Sequence, residues 1–338
     1  MDFLEFGWDF YAPGQVPDGS CGRVALATRE RFLVWTEGGE VEAIISGHFR
    51  HHNSEWPCAG DWVTLRGGNV IAGILPRRTR LSRKEPGKRV REQVLAANMD
   101  VLFVVSGLDE DYNPRRLERY LVLAYESGAR PVIVLNKADL QPDVSELVRR
   151  TEKHAPGIPV LALSALTGQN IDALPEHVKP GETAALIGSS GAGKSTIVNR
   201  LVGSDRQKTA PVRAAGSKGR HATTRRELIR MPGNWLLMDL PGLRELQLWA
   251  DPEQIDHAFS EIAELAAKCK FRDCTHDSEP GCAVREAGIE PSRLTSYRKL
   301  ARELAFLERQ TDHRLAQESR RQSKIAEKAV RHHPKRFR

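Results

Sequence analysis

The stretch Thr183-Ala184-Ala185-Leu186-Ile187-Gly188-Ser189-Ser190-Gly191-Ala192-Gly193-Lys194-Ser195-Thr196-Ile197-Val198-Asn199-Arg200-Leu201 decides the fold. An apolar strand runs into Gly188–Thr196, a full phosphate-loop pattern, and a helix follows it. The glycines let backbone N–H groups turn inward around phosphates, and the helix N-terminus adds its dipole. Lys194 is placed to reach the β- and γ-phosphates, and Ser195 to ligate Mg²⁺.

A phosphate loop alone does not choose the base. Asn136-Lys137-Ala138-Asp139 does, because it ends the apolar run Pro131–Leu135. A carboxylate at Asp139 can accept from both the N1–H and the exocyclic amine of guanine, and adenine has no matching donor pair. Ser164-Ala165-Leu166 follows the next strand, where the loop can lend an N–H to the guanine oxygen. Asp239-Leu240-Pro241-Gly242 ends strand 235–239, so Asp239 can hold Mg²⁺ through water and the Gly242 N–H can meet the γ-phosphate. Between the phosphate loop and that motif lies Gly219-Arg220-His221-Ala222-Thr223-Thr224-Arg225, where a threonine can complete the metal shell. All the GTP-binding motifs are present, but Asn-Lys-x-Asp and Ser-Ala-Leu precede the phosphate loop. The order is circularly permuted, which moves the chain ends to another place on the same sheet.

Outward from these motifs, strands alternate with helices from Asp100 to Asp239, with helices at 114–127, 143–154 and 194–202. That alternation predicts a parallel sheet covered by helices. Before it, Gly22 to Leu75 reads as five short strands: Val24–Ala27, Phe32–Trp35, Val41–Ile45, Trp62–Leu65 and Val70–Leu75. Such spacing fits a small closed barrel of OB type, with an SH3-like barrel as the alternative. Residues 77–91, with eight basic residues and one acid, read as a linker. Past Asp251 the chain turns helical, with a stripe of Leu300, Leu304 and Leu307 that fades beyond Gln310.

Cys269-x4-Cys274-x-His276-x5-Cys282 offers three thiolates and one imidazole within a short loop. This is a closed tetrahedral set, with no open position, and it predicts one structural zinc. Cys21 and Cys58 read as ordinary small residues. With 338 residues, only five cysteines and no apolar run near the ~18 residues of a membrane span, the expected protein is cytoplasmic, without disulfides. A net charge of +7 is concentrated at 77–91 and at 313–338, where nine basic residues face two acids, and points to a polyanionic partner. Trp56 and Trp62, near Arg50, His51 and His52, read as core and rim of the small barrel, with a stacking and phosphate surface as the alternative.

The whole resembles the ribosome small-subunit-dependent GTPase A family (RsgA, also called YjeQ) from about Gly22 to about Arg302. The resemblance rests on Ile74-Leu75-Pro76-Arg77 with Leu81-Ser82-Arg83, Asn113 to Tyr120, the four nucleotide motifs and the zinc spacing. It implies GTP hydrolysis stimulated by the small ribosomal subunit, a role in late maturation of that particle, and contacts to its rRNA by the barrel and zinc subdomain. Family members carry three threonines after the switch histidine, and here Ala222 replaces the first. Thr223 and Thr224 both remain candidates for Mg²⁺, with Thr224 preferred beside Arg225.

The expected protein is therefore multidomain and monomeric. It has an N-terminal OB-type β-barrel with a basic linker (1–92), an α/β circularly permuted P-loop GTPase domain (93–250), and an α-helical C-terminal zinc-binding subdomain with a basic helix or tail (251–338). Leu243 stands where Ras-like enzymes use a Gln to orient water, so His221 is the candidate for that role, beside Lys194 and Thr224 as catalytic residues. A competing reading is a zinc-stabilised RNA-binding module that holds GTP with little turnover. A nucleotide kinase or metal-insertion GTPase ranks third, because every cysteine near a histidine is already used by the zinc site.

Overall fold

A computed structural model describes residues 3–12, 20–28, 30–47, 49, 55–84, 92–203, 226–240 and 252–310. Its spine is one eleven-stranded sheet in the order β10-β9-β8-β11-β13-β12-β1-β2-β3-β5-β4. The first five strands in the chain are β1 (Cys21–Ala27), β2 (Arg31–Thr36), β3 (Gly39–Ile45), β4 (Trp62–Arg66) and β5 (Val70–Ile74). Strand β4 also pairs with β1, so these five close into a barrel. Val24, Phe32, Val34, Ala43, Ile45, Val63 and Ile71 fill its interior, in the alternation that a one-sided strand demands.

The other half contains β8 (Val101–Gly107), β9 (Arg130–Asn136), β10 (Val160–Ala162), β11 (Thr183–Gly188), β12 (Arg226–Met231) and β13 (Trp235–Asp239). Strands β10, β9, β8, β11 and β13 are parallel, and only β12 runs antiparallel. Val101, Phe103 and Val105 of β8 pack into one apolar layer while Leu102 and Val104 pack into the other. Burial on both faces explains why this strand reads as an unbroken apolar run. The chain moves outward from β8 to β9 and β10, then returns to lay β11 on the other side of β8. The strand order therefore reverses between β8 and β11, and the crevice at their carboxyl ends is the place such sheets offer a ligand.

Helix Pro114–Ser127 begins where the sequence says it must. Asn113 caps it by accepting from the Arg116 N–H at 3.3 Å, Pro114 holds the first turn, and Gly128 closes it at φ 77°. A cap of this kind contributes about 1 kcal/mol. Helix Pro252–Ala258 and the helix over 291–310 pack against it, and helix Ser260–Ala266 packs on Pro252–Ala258, with Phe259, Leu300 and Leu304 buried.

One sequence expectation changes, and the structure decides between two readings of Trp62. The basic stretch read as a linker is partly a hairpin: β6 (Arg80–Lys84) pairs antiparallel with β7 (Glu92–Ala97). Leu81, Leu95 and Ala96 are buried in it, Arg80 lies on its exposed face, and the Arg77 side chain just before it is buried against Asp61. Trp62 is no binding surface. It is fully buried, packed edge-on to Trp8 at 4.7 Å, whereas Trp56 is 48% exposed. Arg50, His51 and His52 lie outside the described residues, as does the run 313–338.

The N-terminal segment supplies a seam that the sequence reading left blank. Phe3, Phe6 and Trp8 pack against Trp35 and Trp62 of the barrel. Beneath them Arg23 is buried, donating to the carbonyls of Phe6 and Asn98 and to Thr183 Oγ1. Burial lowers its pKa to about 10, with Asp100 and Asp61 opposing. These three bonds tie β1 to the N-terminal segment, to the turn before β8 and to the foot of β11, and β1 also pairs directly with β12.

Among the described residues, no helix is long and apolar enough to cross a membrane.

Candidate nucleotide site and metal centre

Strand β11 ends in the phosphate loop, and helix Lys194–Val202 starts at its last turn. Gly193 sits at φ 93°, and a Cβ there would lie 2.1 Å from Asn136 Nδ2. A glycine is therefore needed for both the turn and the close approach. That approach is used: Asn136 Nδ2 donates to the Ala192 carbonyl at 2.9 Å, and Asn136 Oδ1 accepts from the Ala165 N–H at 3.0 Å. One buried amide thus joins the Asn-Lys-x-Asp segment, the phosphate loop and the Ser-Ala-Leu loop. Ser164 is buried and its Oγ accepts from the Thr167 N–H at 3.2 Å, which shapes that loop, while Leu166 is exposed.

Lys137 takes a left-handed φ of 68°, and Asp139 follows in an exposed 3-10 turn at the mouth of the crevice. Lys194 is buried. Its ammonium donates to the carbonyls of Gly188 at 2.8 Å and Ser189 at 2.6 Å. Burial lowers its pKa to about 8, while Asp111 and Asp239 pull the other way. Ser190 and Gly191 are exposed, Ser195 and Thr196 half-buried, and Asp239 is buried at the end of β13. A serine hydroxyl and a carboxylate offer the hard oxygen donors that suit Mg²⁺. His221, Thr223, Thr224 and Gly242 lie outside the described residues.

The sequence reading missed the opposite wall. Asp109 Oδ2 accepts from Lys137 Nζ at 2.5 Å, and Asp111 accepts from Ser189 Oγ and from Arg116. Burial disfavours the Asp109 carboxylate, but the bond and charge of Lys137 together with backbone N–H groups outweigh it and hold the pKa below the ordinary value. Their position just after β8, at the crevice, was the available signal.

The second site brings all four of its expected residues together. The ligand atoms of Cys269, Cys274, His276 and Cys282 lie within 4.8 Å of one another. Cys269 Sγ is 3.9 Å from Cys282 Sγ, and His276 Nδ1 is 3.6 Å and 3.5 Å from those sulfurs. A tetrahedron with zinc bond lengths has edges of ~3.8 Å between sulfurs and ~3.6 Å from sulfur to nitrogen. The donors and their spacing fit zinc. Burial lowers the His276 pKa and so favours the neutral, ligating imidazole. Glu279, which the sequence reading did not single out, staples the loop between the ligands. Its carboxylate accepts from the N–H groups of Thr275, Asp277 and Ser278 at 2.9, 2.9 and 3.1 Å. Bonds to Thr275 hold its pKa far below the usual carboxylate range.

The subdomain that carries this cluster is docked by buried charge. Arg293 donates to Glu118 Oε1 at 2.9 Å, to the His154 carbonyl at 2.7 Å and to Glu261. His154 Nδ1 lies 2.9 Å from the same Glu118 oxygen. Arg119 pairs with Glu303 at 2.5 Å beside it.

Strand order, phosphate loop and the Asn136 bridge define a circularly permuted GTPase. The family model described as RsgA GTPase matches residues 74–249. A relative from Opitutus terrae named "Small ribosomal subunit biogenesis GTPase RsgA" is 45% identical over 346 residues, covering 95% of this chain and 94% of its own length. A relative of the same name from Methanosarcina acetivorans is 46% identical, covering 84% of this chain and 79% of its own. The crystal structure of YjeQ from Thermotoga maritima superposes with a TM-score of 0.63 at 29% identity, covering 85% of this chain and 98% of that one. The structure of YloQ, titled a circularly permuted GTPase, shares the fold with a TM-score of 0.59 at 22% identity, covering 87% and 95%. This chain belongs to the RsgA GTPase family.

Proposed function

We propose that this chain hydrolyses GTP with Mg²⁺ in the maturation of the small ribosomal subunit, and that the subunit raises its turnover. The observation that carries the GTP reading is the double use of Asn136, which fixes the Asp139 turn relative to the phosphate loop. The relatives' names supply the ribosomal particle, and a net charge of +7 suits an RNA-rich partner.

In this reading Asp139 accepts two guanine donors and the Ala165–Leu166 loop meets the guanine oxygen. Lys194 turns from the carbonyls of Gly188 and Ser189 to the β- and γ-phosphates, whose charge keeps its ammonium protonated. Ser195 and Asp239, with Thr223 or Thr224, hold Mg²⁺. When bound there, the ion would supply positive charge to offset what develops on the γ-phosphate oxygens. His221 orients the attacking water, since Leu243 has no group to do so. Cys269, Cys274, His276 and Cys282 hold a structural zinc, and the barrel and zinc subdomain contact rRNA.

The test is Asp139→Asn, which sets an amide NH₂ against a guanine donor. The preference for GTP over ATP in competition binding should fall by at least about a hundredfold. An unchanged ratio would remove Asp139 from the site.

A further inference from the structure

The crevice between β8 and β11 has two walls, and the second one is the turn 108–113 that follows β8. Its backbone is fixed from both sides: the Leu108 N–H donates to the Asn136 carbonyl at 2.7 Å, and Gln141 Nε2 donates to the Leu108 carbonyl. Within the turn, Asp109 Oδ1 accepts from the Asp111 N–H at 3.2 Å while Oδ2 holds Lys137 Nζ at 2.5 Å. Gly107 makes room for this pair. A Cβ there would lie 2.6 Å from Asp109 Oδ1 and 3.3 Å from both Cε and Nζ of Lys137. Glycine at the end of β8, aspartate two residues on and lysine at the end of β9 therefore form one fitted set. The lysine and aspartate side chains are only 16% and 24% exposed, so this is not a loose surface pair.

We propose that Asp109 is a positioning residue for guanine-nucleotide recognition, acting through Lys137. This rests on the reading of Asn136–Asp139 as the guanine site. A free lysine stem samples many rotamers, and ordering it on binding would cost affinity. Asp109 holds the ammonium at the strand ends beforehand. The methylene chain is then laid out as an apolar strip for the face of a planar base, beside the Asp139 carboxylate. Lys137 contributes a platform, and Asp109 fixes where the platform lies.

The experiment measures affinity for GDP, ADP and inorganic pyrophosphate in the full chain, for the parent, Asp109→Asn, Lys137→Met and the double variant. Asparagine keeps the acceptor for the Asp111 N–H, so the turn is preserved. Asp109→Asn should weaken GDP by about tenfold, the scale of one side chain left to be ordered. Pyrophosphate, which touches only the phosphate loop, should bind as in the parent. In the Lys137→Met background, Asp109→Asn should have no further effect. GDP binding at parent strength, an equal loss for pyrophosphate, or the same loss without Lys137 would each overturn the proposal. A parent that bound GDP no better than ADP would overturn the guanine-site reading and this proposal with it. A parent preferring GDP, matched by Asp109→Asn, would overturn the proposal alone.

Discussion

The nucleotide crevice draws Asn136, Gly188, Lys194 and Asp239 from three strand ends and a helix start along residues 136 to 239, whereas the metal cluster takes its four ligands from residues 269 to 282. The crevice is a consequence of the sheet. Gly107 stands opposite Asn136 and Gly188 opposite Val105 in register, so the loops they launch must meet. The knuckle has no such frame. Helices Ser260–Ala266 and Ala283–Glu286 flank it, Phe271 is exposed at its tip, and Cys282 is its buried anchor. A site carried by long-range packing holds its shape before a ligand arrives. A site made from one short loop depends on the ion to hold it together.

The largest effect expected from that contrast follows metal removal. Structural zinc sites contribute roughly 10–16 kcal/mol to the loops they close. Chelation, or Cys282→Ser, should therefore open residues 269–288 to protease first. GDP affinity should change by less than about threefold, since no nucleotide contact passes through the knuckle. Loss of GDP binding in step with loss of zinc would break the contrast.

A smaller effect is expected where the two regions are joined. Arg293→Met leaves Glu118 buried without its cation, which should lower unfolding stability by about 3–5 kcal/mol. Glu118→Leu in the same chain should recover part of that loss, because both charges are then gone. Urea titration of the single and double variants measures both. A loss under about 1 kcal/mol for Arg293→Met would mean the seam is held by Phe259, Leu300 and Leu304 alone.

The sequence carried the crevice well because each part has a local signature. Asn113-Pro114 and Gly128 mark a helix, the apolar run of β8 marks a buried strand, and each nucleotide motif follows a strand. The metal cluster was legible for the same reason, since thiolates and imidazole at close spacing have few other uses. Residues that act across the fold were not legible. Arg23, Glu118, His154 and Arg293 look like surface charges in one dimension, and only the packed molecule shows each buried against its partner. Leu81, Leu95 and Ala96 are the buried positions of a hairpin, but the arginines of 77–91 outweighed them in one dimension. Asp109 and Asp111 lie in a polar turn whose place just after β8 is legible, but whose partners show only when β9 and the phosphate loop are set beside it.

As proposed, the chain is a guanine-specific hydrolase whose turnover depends on the small ribosomal subunit. Phosphate release from GTP and from ATP, with Mg²⁺, by the zinc-loaded full chain tests it most directly, alone and with purified small or large subunits. GTP turnover should rise by at least about tenfold with small subunits, the lower range of help from a positioned proton acceptor. Large subunits and ATP should give no rise. GTP turnover that stayed flat across all particles would contradict the account and leave a zinc-stabilised RNA-binding module that holds GTP with little hydrolysis.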